Sequence, residues 1–552
     1  MAQPPTWRRL STKTSTFTAK IAPSKAHLHK PIADDLFPRG YLLGGIHSGV
    51  KKDASILDLS VLLSTSSRPT SAAATFTRNA FQAAPVTVSK SVLEQTAGRA
   101  RALVVNSGCA NAVTGQQGLA DAWAMARATD ALLAPASSPS PSSSSPSSSE
   151  TLVMSTGVIG QTLPISKILT ALRPHGPLVQ TLGHGFTAWE AVARAFMTTD
   201  TFPKLRARTL PLGNGRTYRI AGIDKGAGMI HPDMVGVPQP SAPHATLLGC
   251  IATDAPVSPA ALQSALDYAV QRSFNAISID GDMSTNDTVV LFANGAGAGE
   301  VMGGELSARK TETETEIDID ETRDPGAFVQ FRDGLTDFMQ ELAQLVVRDG
   351  EGATKFVTIS VEVRVFETVD DDRDHPMSAF RDSRSSLTFD LVIVIVNAGC
   401  LIIRRCAQDR VENLDISSRQ NSSLRRRRKV RSSPSSGLYS VMINDRLPTP
   451  SWGRVLAAAG SVPLSAPLDP ARVNVSFIPT DRSPILPLLV NGEPEQVDEV
   501  RAKEILSAED LEIRVDLGLG LESAKYWTCD FGYVRAFCYL VKRVKSAFFY
   551  FC

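Results

Sequence analysis

Strand-like and helix-like stretches mixed along the whole chain predict an α/β (mixed α+β) fold. Two kinds of stretch carry that reading. Short runs of apolar and small residues, such as 102–112 (ALVVNSGCANA) and 247–254 (LLGCIATD), have the length and texture of buried strands. Longer stretches repeat apolar residues at helical spacing, as Leu262, Leu266, Ala269, Val270 and Phe274 do.

Taken in order, ordered sequence is expected from about Phe37. Residues 40–52 (GYLLGGIHSGVKK) read as a strand with a glycine-rich turn. Small and apolar residues alternate from Val61, and 72–86 (AAATFTRNAFQAAPV) continues in β style. The run 102–112 is a buried strand ending in a small-residue turn, and 118–132 is a helix. Residues 134–150 are almost all Ser and Pro, the composition of a solvated linker. Ser258-Pro259 supplies an N-cap and an N1 proline for the next helix. Strands are expected at 276–280 and 289–293, around a polar turn at 281–288 (GDMSTNDT). Residues 311–324 form an acidic surface segment, and 328–347 an amphipathic helix stopped by Gly350. From 364 to 450 periodicity fails, and the stretch carries DDDRDH (370–375), SRSS (383–386) and the basic run 425–429. Patterning resumes at Trp452 and lasts to Asp530, before an aromatic and basic tail at 531–552.

Bulk composition narrows the function classes. A net charge of +1 favours neither nucleic acid nor an anionic membrane as partner. The run 391–403 (LVIVIVNAGCLII) is too short to span a bilayer and contains Asn397, so a buried strand is expected there. Seven scattered cysteines show neither zinc nor redox spacing, and reduced structural thiols follow. Arg8, Arg9, Lys13, Lys20, Lys25 and Lys30 all precede the first acidic residue, Asp34, amid many Ser and Thr. That is the composition of a mitochondrial transit peptide, assigned to residues 1–30.

Chemistry concentrates at a few places. A cut before Thr246 would leave one residue carrying both a nucleophilic hydroxyl and an α-amino base, whose ordinary pKa is about 7.7–8.0. Lys225, beside Gly226 and Gly228, can hold a carboxylate where glycines let backbone approach closely. Thr156-Gly157, in a small turn after the strand-like TLVM, can offer an oxyanion hole or serve as a plain turn. Thr198, in MTTD after a helix, caps a turn or faces a ligand. Glu351, between a helix and the strand-like 356–361, binds an amino group or lies solvated in a turn.

Together these segments resemble the ornithine acetyltransferase family, the bifunctional glutamate N-acetyltransferases of arginine biosynthesis, in their fungal mitochondrial form. The matching segments run in family order: GGIHSGVKK (44–52), NSGCANAVTG (106–115), STGVIG (155–160), MTTDTFPK (197–204), KGAGMIHPDM (225–234), ATLLGCIATDAPV (245–257), DGDMSTNDTV (280–289), RDGEGATKFVTI (348–359), WGRVLAAAGSVP (452–463) and EDLEIRVDLGLG (509–520). The resemblance implies β-sheets layered between helices and a precursor that cuts itself between Ala245 and Thr246. Residues 31–245 would be the α chain and 246–552 the β chain, assembled as two of each. It implies Thr246 as nucleophile, Thr156 and Gly157 as oxyanion-hole pair, and Thr198, Lys225, Thr246 and Glu351 as substrate-binding residues. Acetyl would pass from N-acetylornithine to Thr246 and on to glutamate, releasing ornithine and N-acetylglutamate. No metal or organic cofactor is implied, acetyl-CoA serving at most as a donor substrate, and the site of action is the mitochondrial matrix.

Three stretches depart from the family pattern. Residues 235–244 (VGVPQPSAPH) stand between Met234 and Ala245, where the family runs on directly; 364–450 replaces a helix-bearing segment; and 531–552 lacks the expected last substrate ligands. A chain altered in this way also fits an unprocessed, inactive relative with a structural or interaction role, or the product of a faulty gene model. A related N-terminal-nucleophile aminopeptidase fits less well, since GGIHSGVKK, KGAGMIHP and DGEGATK favour the acetyltransferase.

Overall fold

A computed structural model describes residues 25–79, 81–133, 149–213, 215–236, 247–281, 284–297, 318–350, 352–362, 468–518 and 523–529, together with the backbone of 391–397 and 400–406. Residues 1–24 of the expected transit segment 1–30, residues 237–246, most of 364–450 and the tail 531–552 lie outside the described residues.

Two sheets come from the first three hundred residues. The first has the order β1 (Tyr41–Ile46), β2 (Leu59–Ser64), β4 (Ala102–Cys109), β5 (Thr151–Val158), with β4 and β5 parallel. The second has six strands: β6 (Lys204–Pro211), β7 (Thr217–Lys225), β9 (Leu248–Thr253), β10 (Thr288–Ala293), β3 (Ser71–Thr77) and β8 (Met234–Val235). A third sheet is built from the C-terminal part, in the order β16 (Glu493–Pro494), β15 (Leu486–Val490), β14 (Asn474–Ile478), β17 (Asp510–Asp516), β11 (Phe356–Glu362), β18 (Ser523–Cys529).

The second sheet is the middle layer, and residue alternation shows why. Successive side chains on a strand point to opposite faces. Leu248, Cys250 and Ala252 of β9, with Val290 and Phe292 of β10, pack into one core with the first sheet. Ile251, Val289 and Leu291 pack into a second core, with helices α5 (Pro259–Arg272) and α6 (Pro325–Asp349) and the third sheet. A strand buried on both faces needs the near-continuous apolar sequence that LGCIAT and TVVLFA provide.

Helices α1 (Ala84–Gln95) and α2 (Gly115–Leu133) pack against β4 and β5. α3 (Ile165–Ala171) is a short turn packed beside α2. α4 (Phe186–Phe196) lies on β1 and β2 and reaches β7, and its buried Trp189 stacks on Phe37 at 5.4 Å. A short α7 (Glu499–Ser507) leads into β17 and is capped by Asp498, whose side chain accepts from two backbone N–H groups. α5 starts as the sequence indicates, with the Ser258 side chain accepting from the Ala261 N–H. α6 ends at Gly350, which adopts the left-handed conformation with φ 40°. Among the described residues, no helix is long and apolar enough to cross a membrane.

Four readings of the sequence are corrected. Residues 72–86 are not β throughout: β3 ends at Thr77, and 84–86 open α1 with Pro85 in its first turn. Residues 276–280 form no strand; a 3-10 turn (Phe274–Ala276) leads into loop, with Ile277 making a single bridge to Trp527. The run 391–403 is not one strand but most of a hairpin, β12 (Leu391–Asn397) pairing antiparallel with β13 (Cys400–Cys406). Thr156 and Gly157 do not sit in a turn after a strand, because β5 runs through them.

Gly222 on β7 seats α6. A Cβ placed there would lie 2.6 Å from Leu342 Cδ1 and 2.8 Å from a Phe338 ring carbon, so the helix rests directly on the strand. Gly222→Val is expected to lift α6 off the sheet and to cost about 1–3 kcal/mol, read as a lowered denaturation midpoint.

Candidate active site

The sequence-predicted residues that the structure describes converge where the first and middle sheets meet. Lys225 ends β7 as a strand residue, not a loop residue, and is almost fully buried. Its Nζ donates to Thr156 Oγ1 at 3.2 Å, so the cation and the predicted oxyanion residue touch. Gly157 follows with φ 129°, a backbone state that side chains rarely adopt. A Cβ there would meet the Gly108 carbonyl carbon at 2.3 Å, so β4 approaches β5 this closely only because residue 157 is glycine. The β4–β5 register slips at Gly108–Cys109, a bulge that turns the strand end.

Thr198 lies in the loop after α4, its N–H donating to an Asp200 carboxylate oxygen at 2.9 Å. Ala245, Thr246 and Glu351 fall outside the described residues. Their neighbours are described: Leu247 and Leu248 are buried at the start of β9, and Gly350 closes α6.

A buried ion cluster that local sequence does not reveal holds these segments together. Lys204 Nζ donates to Asp200 and to Asp349 at 2.6 Å each, with all three side chains sealed from solvent. Asp200 also accepts the Gly226 N–H at 2.8 Å, next to Lys225, and Asp349 accepts from the Thr201 backbone and hydroxyl. Burial alone would drive the Asp200 carboxyl up, but the Lys204 and Lys225 ammoniums beside it hold it well below the usual carboxylate range. Burial would likewise lower Lys204, and the carboxylates of Asp200, Asp349 and Asp224 raise it instead. Asp224 is pushed well up by burial, against the pull of Lys204, and its carboxyl oxygens have no hydrogen-bond partner among the described residues.

Two more groups complete the compartment. Lys51 Nζ donates to the carbonyls of Leu57 and of Met197, the residue before Thr198. Burial brings the Lys51 amine down to about 8, opposed by Asp58 and Asp200 and reinforced by Lys225. Asn286 Nδ2 donates to the Ser155 carbonyl at 2.8 Å and to Ala110 at 2.6 Å, which fixes the peptide leading into Thr156. Both residues lie in segments that the sequence singles out, GGIHSGVKK and DGDMSTNDTV, but only long-range contacts give them these positions. Among the described residues no group of three His, Cys, Asp or Glu is placed to hold a metal ion.

A buried cation against a threonine–glycine strand end, beside the strand that starts two residues after Thr246, defines a compartment suited to a carboxylate-bearing acyl substrate. Comparison with known proteins assigns it to a family. The ArgJ family model matches residues 42–368 and 447–536, and the chain belongs to the ArgJ family. The unmatched stretch between those segments falls within 364–450, where the sequence departs from the family pattern. The chain is 54% identical over 534 residues to the arginine biosynthesis bifunctional protein ArgJ, mitochondrial, of Postia placenta, covering 96% of both chains. It is 51% identical to the protein of the same name from Laccaria bicolor, covering 94% of this chain and 96% of that one. Among solved structures, an ornithine acetyltransferase from Mycobacterium tuberculosis, complexed with ornithine, matches at 32% identity over 37% of this chain and 96% of that one, with a TM-score of 0.29.

Lys204→Met removes the cation that donates to both Asp200 and Asp349. Removing one partner of a buried pair typically costs about 3–5 kcal/mol. The variant is expected to show a loss of that size by urea denaturation at neutral pH.

Proposed function

We propose that this chain is a mitochondrial arginine-biosynthesis acetyltransferase that cuts itself between Ala245 and Thr246. It then moves an acetyl group from N-acetylornithine to glutamate by way of Thr246, giving ornithine and N-acetylglutamate. The observation that carries the reading is the contact between Lys225 and Thr156 beside the start of β9. A carboxylate-binding cation and an oxyanion donor then lie against β9, which begins two residues after Thr246 in the sequence. Kinship with the fungal mitochondrial ArgJ proteins over nearly the whole chain supports the same reading and favours it over an inactive relative.

In this mechanism the Thr246 hydroxyl attacks the acetyl carbonyl and its own α-amino group takes the proton. The carbonyl oxygen gains negative charge against Thr156 and Gly157, whose geometry is set in advance by the bulge and by Asn286. Lys225 holds a substrate carboxylate and Glu351 an amino group, with Thr198 lining the pocket. Ornithine leaves, glutamate enters, and the acetyl-enzyme passes its acyl group on. The reaction needs no metal or organic cofactor in this scheme. Acetyl-CoA as an alternative donor would make the enzyme bifunctional. The α chain (31–245) and β chain (246–552) stay together as an assembly of two of each in the mitochondrial matrix, after loss of the leader at 1–30.

Purified protein run on a denaturing gel is expected to give two fragments, the second starting at Thr246. A single full-length band with no acetyl transfer overturns the reading. Thr246→Ala is expected to abolish both cleavage and transfer, and transfer persisting in that variant would exclude it as nucleophile. Lys225→Met is expected to raise KM for N-acetylornithine on the order of 10–100-fold, through loss of a charge-assisted hydrogen bond worth about 1.5–3 kcal/mol, as measured by steady-state kinetics on the cleaved enzyme.

A further inference from the structure

Lys51 touches both the oxyanion strand end and the Thr198 loop, and the scheme above gives it no part. It follows β1 in the glycine-rich segment GGIHSGVKK and is half-buried. That segment turns around one carboxylate. Asp58 is fully buried, and its oxygens accept the backbone N–H groups of Ser48, Gly49 and Lys51 and the Ser48 hydroxyl. His47 Nδ1 lies 3.3 Å from the same carboxylate. The Asp58 carbonyl in turn accepts the Ser107 N–H of β4 at 2.9 Å. The loop is therefore fastened to the first sheet, and the Lys51 backbone is held with it.

The stem of Lys51 crosses Gly108, the residue at the β4–β5 bulge. A Cβ on Gly108 would lie 2.9 Å from Lys51 Cγ, and one on Gly157 would lie 2.3 Å from the Gly108 carbonyl carbon. Lys51 thus lies against Gly108, and Gly108 against the proposed oxyanion residue. Past Gly108 the ammonium donates at 2.8 Å to the Leu57 carbonyl in its own loop. It donates at 2.8 Å also to the Met197 carbonyl, 146 positions away.

Met197 is the C-cap of α4, with φ −56° and ψ 145°, so the helix no longer dictates where its carbonyl points. The other end of the same peptide is held too. The Thr198 N–H donates to Asp200 Oδ2 at 2.9 Å, and Asp200 is locked by Lys204. One peptide plane therefore carries a cation on its oxygen and a carboxylate on its hydrogen. A helix end by itself attracts a cation. Here the last turn of α4 already has the Ser107 hydroxyl on the Ala195 carbonyl, and the Lys51 ammonium grips the peptide beyond it.

We propose that Lys51 is a positioning residue for acetyl transfer, pinning the Met197–Thr198 peptide so that Thr198 stands in a fixed place relative to the Thr156–Gly157 strand end. The inference rests on the reading above, in which Thr198 binds N-acetylornithine. Lys51 touches no reacting atom and acts through the peptide it holds. Its loss weakens the grip on substrate in the ground state and the transition state alike, which raises KM and spares kcat.

Lys51→Met keeps a stem across Gly108 and removes the ammonium. In the cleaved enzyme, KM for N-acetylornithine is expected to rise on the order of 10-fold, with kcat within about threefold. Lys167→Met is the control. Lys167 Nζ donates to the Gly49 carbonyl at 3.2 Å in the same loop, and its loss is expected to leave KM unchanged. A double-mutant cycle separates positioning from general loosening. In a Thr198→Val background, Lys51→Met is expected to change KM by less than about threefold, because the residue it positions no longer binds. An undiminished effect in that background overturns the proposal, as does an unchanged KM in Lys51→Met alone. If Lys51→Met does not fold or stays uncleaved, Lys51→Gln is read by the same two criteria. Absence of fragments or of transfer from the unaltered protein is a failure of the reading above. Normal cleavage and transfer combined with independent effects at Lys51 and Thr198 is a failure of this inference alone.

Discussion

The ammonium of Lys204, sealed between Asp200 and Asp349, is the interaction on which the site depends. It joins the loop after α4 and the first residue of β6, which carry Asp200 and Lys204 four positions apart, to the last turn of α6, 145 positions further along the chain. Each carboxylate passes the constraint on through backbone N–H groups. Asp200 orients Thr198 and Gly226, and Asp349 orients Thr201. A charged cluster this deep is costly to desolvate, and good geometry with satisfied hydrogen bonds is what offsets that cost. Lys204 meets both demands for Asp200 and Asp349. Asp224, with burial driving its carboxyl upward, is the member of the cluster that resists ionising. The cluster fixes where Thr198 and Gly226, next to Lys225, stand in the proposed site.

Around that anchor the fold supplies a seam instead of a cleft in one domain. The middle sheet shares one core with the first sheet and another with α5, α6 and the third sheet. The Thr156–Gly157 strand end belongs to the first sheet, Lys225 and Leu247 to the middle one, and Asn286 reaches across between them. Because both faces of the middle sheet are packed, small relative shifts of the two sheets are resisted by side-chain packing on each side. Thr156 and Gly157, the proposed oxyanion donors, are therefore held in place in advance, as electrostatic catalysis requires.

Much of this was legible locally. Ser258-Pro259 marked the start of α5, Gly350 the end of α6, and the small-residue runs marked β4 and β9. Thr156, Gly157, Thr198 and Lys225 stood out by motif, and the family resemblance agrees with the family to which the chain belongs. Helix α1 is hard to see in the sequence because Val86, Thr87, Val88 and Val92 carry β-branched side chains, while its start signal, Pro85, also fits the end of a strand. The 276–280 stretch has strand-like composition, but its backbone is spent on a 3-10 turn and one bridge to Trp527. Lys204, Asp349 and Lys51 gave no local signal of the contacts they make. Lys204 and Asp349 are 145 positions apart, and only tertiary packing makes either of them meaningful. The long apolar run at 391–403 shows the opposite failure, since one continuous strand signal covers parts of two paired strands, β12 and β13.

The position of β9 has a consequence for the life of the molecule. It lies inside the middle sheet, paired antiparallel with β7 on one side and parallel with β10 on the other. A cut just before it severs the chain but no ladder: β7 remains with the first piece, β10 with the second, and β9 is stitched between them. The nicked protein keeps every backbone hydrogen bond of that sheet and has no reason to come apart. Its history, however, can be run in only one direction. The intact chain folds as a single molecule at a rate indifferent to concentration, whereas the two pieces, once separated by denaturant, must find each other in solution before the sheet can form again. Cleavage thus turns a foldable polypeptide into an object that persists only because it was assembled beforehand.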